Sequence, residues 1–320
     1  MHIEGTLEPE LAFTLARRND VALPFADTAA LRRAYEFANL QSFLDIYYMG
    51  MSVLCTAHDF FDLAEAYLRR ARAAGVVHAE LFFDPQAHAA RGIPFEIVID
   101  GLWDAVRASD VMHGISSRLI MCFLRDLSAD DAMRTLEAAL PFRDRITAVG
   151  LDSAEAGNPP AKFRAVFRRA RELGWRTVAH AGEEGPAQYV RSALDDLGAE
   201  RIDHGIRSLE DPTLVAYLRS ERIPLTVCPL SNVKLRVVDR LRDLPIPEML
   251  ERGLRVTINS DDPAYFGGYI DDNFRAVADT FGYGTPQLAA FARNSFDAAF
   301  IDDGLRRHYL ALLDAALATG

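Results

Sequence analysis

The chain has 320 residues, half of them apolar and a quarter charged, with a formal net charge of −11 at pH 7. A field of that sign repels phosphate backbones and anionic lipid, which argues against nucleic acid and membrane surfaces as partners. No apolar run reaches the roughly 18 residues of a membrane span, and the opening MHIEGTLEPE has neither the basic nor the apolar part of a leader. The three cysteines (Cys55, Cys122, Cys228) form no C-x-x-C pair, so neither a disulfide framework nor a thiolate zinc site is expected, and they read as small core residues. These features describe a cytoplasmic protein with a small-molecule ligand.

In chain order, Thr6 is placed to cap a helix over Glu8–Asn19, and an amphipathic stretch from His58 to Ala74 stops at Gly75. A β-rich run follows at Val77–Asp84, and others at Ser117–Leu124, Ile146–Asp152, Arg176–Gly182, Arg201–Gly205, Ile223–Pro229 and Arg255–Asp262. Helical stretches separate them, one opening at Ser128 with Asp131 three residues on, another spanning Pro160–Gly174. Strand and helix in alternation mean parallel strands joined by crossovers. No linker or low-complexity segment interrupts the pattern, so residues 1–320 read as a single domain. The count of seven strands is one short of a closed (β/α)8 TIM barrel. A doubly wound open sheet is the competing arrangement, but its G-x-G-x-x-G turn is absent.

Several strands end in residues able to do chemistry: Asp152, His180 with Glu183, His204, and Asp261 with Asp262. Each has a plain alternative. His180 and His204 suit packed imidazoles at turns, Glu183 a first-turn helix carboxylate, and Asp262 before Pro263 an N-cap. In a parallel barrel, however, all C-terminal strand ends surround one mouth, so these groups would converge. His2 adds a further imidazole, and two His with one Asp form a nitrogen and oxygen set suited to catalytic zinc. His58, His78, His88, His113 and His308 have no acidic partner at ligand spacing and read as unremarkable.

The segments HIEGTLEPE, HAGEEGP, RIDHG, CPLSNVKLRV and NSDDPAYFGG together resemble the adenosine and adenine deaminases of the amidohydrolase superfamily, over essentially the whole chain. Within that group, CPLSNVKL and SDDPAYFGG are similar to the bacterial and fungal enzymes that act on the free base. The resemblance implies a metal-dependent hydrolase of (β/α)8 TIM barrel type with one Zn2+ per chain. By its motifs His2, His180 and Asp261 are zinc ligands, Glu183 the proton donor and His204 the residue that positions the attacking water. Asp262 is then the carboxylate that binds the purine. The implied reaction is hydrolytic deamination of adenine to hypoxanthine and ammonia in purine salvage. Adenosine or an N6-substituted adenine is the alternative substrate.

One residue departs from the pattern. The family's first strand ends in H-x-H, and His2 matches its second histidine, so Met1 stands between the pair and the first has no counterpart. The N-terminal strand is therefore expected to be truncated or missing. Three readings follow: a start placed at an internal methionine, a shortened chain, or a natural barrel with an impaired metal site that binds purine without turning it over. Apolar helix faces that pack on a barrel look the same as those that pack on a second copy, so a homo-oligomer stays open.

Overall fold

A computed structural model describes residues 1–319. Seven strands form one parallel sheet in strict sequence order: β1 His78–Phe83, β2 Ser116–Leu124, β3 Ala148–Asp152, β4 Arg176–Ala181, β5 Arg201–His204, β6 Pro224–Val227 and β7 Arg255–Ile258. All seven coincide with the expected runs. The last is shorter than expected, because Asn259–Asp262 leaves the ladder after Ile258 and becomes the loop that carries two acidic side chains. Helices cover the outer face, so the strands are buried on both sides and read as continuous apolar stretches, Leu119–Phe123 being wholly inaccessible.

The flanking helices follow their sequence signals with small shifts. Ala57–Ala73 is capped by Thr56 in a capping box, and Ala129–Ala139 by Ser128, whose hydroxyl accepts from the Asp131 N–H at 3.1 Å. The stretch from Pro160 splits into a short 3-10 turn, Pro160–Phe163, and a helix, Arg164–Glu172. Thr6 does not cap the first helix. That helix, Pro9–Arg18, starts after Glu8, and the Thr6 hydroxyl instead donates to the Ile3 carbonyl at 2.6 Å. A helix absent from the sequence reading, Leu40–Gly50, brings Leu40, Phe43, Leu44 and Tyr47 to the pocket at the strand ends.

No named strand lies between β7 and β1 among the described residues, yet the top of that seam is bridged. Ile3 N–H donates to Phe82 O at 2.9 Å, Phe82 N–H to Met1 O at 2.9 Å, and His2 N–H to Asp261 O at 3.1 Å. Met1–Ile3 thus ties the C-terminal ends of β1 and β7 together and fixes His2 at the mouth. Below it a cavity of about 530 Å³ opens between Val77, Phe82, Ile258 and Phe296.

Inside the sheet the register lines up polar side chains. His180 pairs with Asp203, Asp203 with Thr226, and Thr226 with Thr257, so neighbours on successive parallel strands face the same way. One step below, Arg201 reaches across to Glu80 at 2.5 Å.

Candidate active site

Six of the described residues have a positive φ without being glycine, and three of them ring the mouth: Ser153 (+72°), His204 (+63°) and Asp261 (+59°). Left-handed backbone costs such residues about 1–3 kcal/mol each, and it clusters where a side chain must be aimed against the run of the strand. Here it turns His204 inward at the last residue of β5 and Asp261 three residues beyond β7.

His2 Nε2 and His180 Nε2 lie 3.0 Å apart, and Asp261 Oδ1 is 3.6 Å from His2 Nε2. One ligand atom from each of these three residues falls within 4.8 Å of the others. The opposite edges of the two rings are each faced by a carboxylate. Asp152 Oδ2 stands 3.5 Å from His2 Nδ1, and Asp203 Oδ2 stands 3.5 Å from His180 Nδ1. With its proton on Nδ1, each ring would face its carboxylate and turn its Nε2 lone pair toward one common point. Burial, and then the neighbouring imidazole, holds each histidine well below its ordinary pKa, so both rings are neutral donors. Two lone pairs and a carboxylate converging at this spacing repel one another unless a cation sits between them. The donor set therefore fits a zinc-like ion.

Beside this trio, His204 Nε2 is 3.6 Å from Glu183 Oε2 and 3.8 Å from Asp261 Oδ2, and Asn232 Nδ2 lies 3.4 Å from His204 Nδ1. Burial raises the Glu183 carboxyl to about 8, against the pull of His204. Burial would lower His204, but the Glu183 and Asp261 carboxylates hold it above its ordinary value. The two groups are therefore electrostatically linked, each shifting the other. Glu183 Oε1 is buried with no hydrogen-bond partner among the described residues.

Asp262 does not cap the turn that follows it, although Pro263 is the first residue of that turn as expected. Burial and the adjacent Asp261 push its carboxyl well above the usual range, and its Oδ1 has no partner among the described residues. Gly5 makes room for it, since a Cβ there would sit 1.9 Å from Asp262 Oδ1.

All six residues singled out from sequence (His2, His180, Glu183, His204, Asp261 and Asp262) therefore line one pocket. Other expectations need correction. His58, His78, His88 and His113 do have acidic neighbours: Asp62 at 3.7 Å, Glu80 at 3.4 Å, Glu4 at 2.9 Å and Glu65 at 3.5 Å. Only the first pair is close in a helical repeat; His113 and His88 meet partners far away in sequence. Cys122 and Cys228 are buried and Cys55 is half-buried, but Cys228 also approaches His204 and Asp261 at the edge of the site. Sequence reasoning missed the supporting acids Asp203 and Glu155. Asp203 stands one residue before His204, but only the pairing of β4 with β5 sets it beside His180.

Comparison with known proteins fits this geometry. The adenosine deaminase family profile matches residues 1–316. An adenine deaminase of Streptomyces coelicolor is 63% identical over 317 residues, covering 98% of this chain and 93% of that protein. One of Hahella chejuensis is 53% identical over 317 residues, covering 99% and 95%. The crystal structure of an adenine deaminase from Arthrobacter aurescens superposes with a TM-score of 0.98 at 52% identity, covering 99% of this chain and 97% of that one. An amidohydrolase of Burkholderia ambifaria with bound zinc superposes with a TM-score of 0.89 at 27% identity, covering 100% and 91%.

Proposed function

The chain belongs to the adenosine deaminase family, and from that premise we propose that it is a zinc-dependent hydrolase converting adenine and water to hypoxanthine and ammonia. The observation that carries the reading is the juxtaposition of His2, His180 and Asp261 with a carboxyl, Glu183, that burial keeps in its acid form. A zinc ion held by those three residues supplies a Lewis acid that makes water nucleophilic near neutral pH.

The remaining work falls to the protein's own groups. His204, fixed between Glu183 and Asp261, holds the attacking water in line with purine C6 and takes its proton. Glu183 gives its proton to ring N1 as C6 becomes tetrahedral, which removes the cost of a negative ring nitrogen. The Glu183 proton stays on N1 of hypoxanthine; the proton that His204 took from water passes to the 6-amino group, which leaves as ammonia, and the C6 hydroxyl reprotonates Glu183 as the carbonyl forms. Asp262, buried and unpartnered, hydrogen-bonds the purine at N7. Leaving that carboxyl unsatisfied would cost roughly 1–3 kcal/mol, which is the scale of discrimination it offers. Identity of 53% and 63% to proteins named adenine deaminase supports the free base over the nucleoside.

The test is direct. Purified protein loaded with zinc releases ammonia from adenine with the ultraviolet shift to hypoxanthine, and carries one zinc per chain by metal analysis. Absence of turnover overturns the proposal. A preference for adenosine or N6-methyladenine above about tenfold in kcat/KM moves the assignment to that substrate.

A further inference from the structure

The segment that carries Glu183 is gripped by its backbone. Gly182, Glu183, Glu184 and Gly185 all donate their N–H groups to the carboxylate of Glu155, at 2.7, 3.0, 2.9 and 2.7 Å. Glu155 follows β3, is 1% exposed, and has no ion-pair partner within 4.0 Å among the described residues. Four successive amides curled around one anion form a nest, and charge-assisted bonds of this kind are about twice as strong as neutral ones. The nest depends on its glycines. Gly182 has φ +72° and a Cβ there would meet Val190 at 2.7 Å, while a Cβ on Gly185 would lie 2.5 Å from Glu155 Oε1.

The carbonyl side of the same segment is held from other directions. Arg125, fully buried, donates to His180 O at 2.7 Å, and Arg207 donates through its side chain to Glu184 O at 2.8 Å and through its N–H to Gly182 O at 3.1 Å. The Glu183 side chain itself has only the 3.6 Å approach to His204. Nothing in its own contacts fixes where Oε1 points, so its aim is inherited from the backbone beneath it.

We propose that Glu155 is a positioning residue for the reaction: its carboxylate, seated in the Gly182–Gly185 amide nest, sets the placement of the Glu183 proton donor. The inference rests on the deaminase reading given above. A second consequence is electrostatic. The titratable and charged groups around Glu183 are His204, Asp261, Cys228 and Arg125 from other elements, and Glu155 and Glu184; after burial, Asp261 and then Glu155 are what raise it. Removing the Glu155 charge therefore favours ionised Glu183.

The test is Glu155→Gln, which keeps the shape but presents an NH2 to amide donors. Wild type, Glu155→Gln, Glu183→Gln and the double variant are compared for zinc content, hypoxanthine affinity, kcat, KM and the pH profile of kcat. Because a misplacement of about 1 Å can cost 10²-fold, kcat of Glu155→Gln is expected to fall about 100-fold, with zinc content kept and KM and hypoxanthine affinity within about threefold. The alkaline limb of its profile moves to lower pH. In the Glu183→Gln background the same change costs less than about twofold, because the donor it places is gone. A kcat within about twofold of wild type overturns the inference, as does an equal loss in both backgrounds, which marks a merely structural role. If circular dichroism finds Glu155→Gln unfolded, Gly185→Ala is read instead, since its Cβ displaces the carboxylate. A fall in kcat of about tenfold or more at unchanged KM supports the inference, and an unchanged kcat overturns it. Failure of the wild type to deaminate adenine refutes the proposed function instead, and the two failures are thereby separated.

Discussion

The pH dependence of turnover follows from where Glu183 sits. In the proposed mechanism its acid form gives N1 a proton, so activity is expected below its pKa and is lost above it. Burial raises that value from 4.5 to about 8. At pH 7 a carboxyl of pKa 8 is about 90% protonated, whereas one of pKa 4.5 is about 0.3% protonated, a difference of about 300-fold in usable acid. At pH 9 the protonated fraction drops to about 10%, and each further unit costs another factor of ten. A bound dication stabilises the carboxylate and moves the midpoint down from 8, never up. The assay is kcat with saturating adenine from about pH 5.5 to 10, in zinc-supplemented buffer with metal content checked at each end. The expected profile has an alkaline limb with its midpoint at or below about pH 8. Glu183→Gln lowers kcat by about 10²–10⁴-fold and abolishes that limb. A wild-type rate still level at about pH 10, or a limb that survives in the Gln variant, refutes the assignment of the proton to Glu183.

Three further outcomes follow. Asp203→Asn removes the charge that faces His180 Nδ1 while Thr226 Oγ1, which donates to Asp203 Oδ1 at 2.8 Å, can turn to accept from the amide. Zinc affinity, read by competition with a chromophoric chelator, is expected to fall 10–100-fold; an unchanged affinity shows that the carboxylate does not orient the ring. Gly101→Ala places a Cβ 2.1 Å from the Ala57 carbonyl and 2.7 Å from Phe60 Cβ, where the Phe95–His113 helix crosses Ala57–Ala73. That overpacking should cost about 1–3 kcal/mol by urea denaturation, and an unaltered midpoint shows that the helices can separate freely. Arg222→Gly relieves a φ of +55° on an exposed residue and removes a like charge near Arg255, so it should stabilise by about 1 kcal/mol; a lowered midpoint refutes that.

What the sequence disclosed and what it concealed divide along a physical line. His180, Glu183, His204, Asp261 and Asp262 were legible because each follows an apolar run, and a parallel barrel turns that one-dimensional cue into convergence at a single mouth. Helix Leu40–Gly50 was not legible as part of the site. Its apolar residues repeat as they would on any packed helix, and no local cue records which surface they cover. The supporting acids depend on register instead. Asp203 faces His180 only because β4 and β5 pair with those two residues side by side. Glu155 meets the Glu183 loop only because the segment after β3 folds under the end of β4, 27 to 30 residues away in sequence. Acidic residues are common in this chain, 46 of them, so composition cannot pick out the few that matter.

That division also explains where the strain lies. His204 and Asp261 keep left-handed backbones at a cost of about 1–3 kcal/mol each, and glycine would relieve it but has no side chain to offer. Arg222 carries a similar φ with no such duty. If aiming side chains is what maintains strain at the mouth, relief at Arg222 should stabilise without touching kcat. Glycine at His204 gives the same relief but removes a buried imidazole that faces Glu183 and Asp261, so that variant should lose stability as well as turnover. Comparing the two variants in one denaturant and activity series separates strain held for function from strain incidental to the turn. A gain of stability in His204→Gly would show instead that the backbone, and not the buried imidazole, dominates the energetics of that corner.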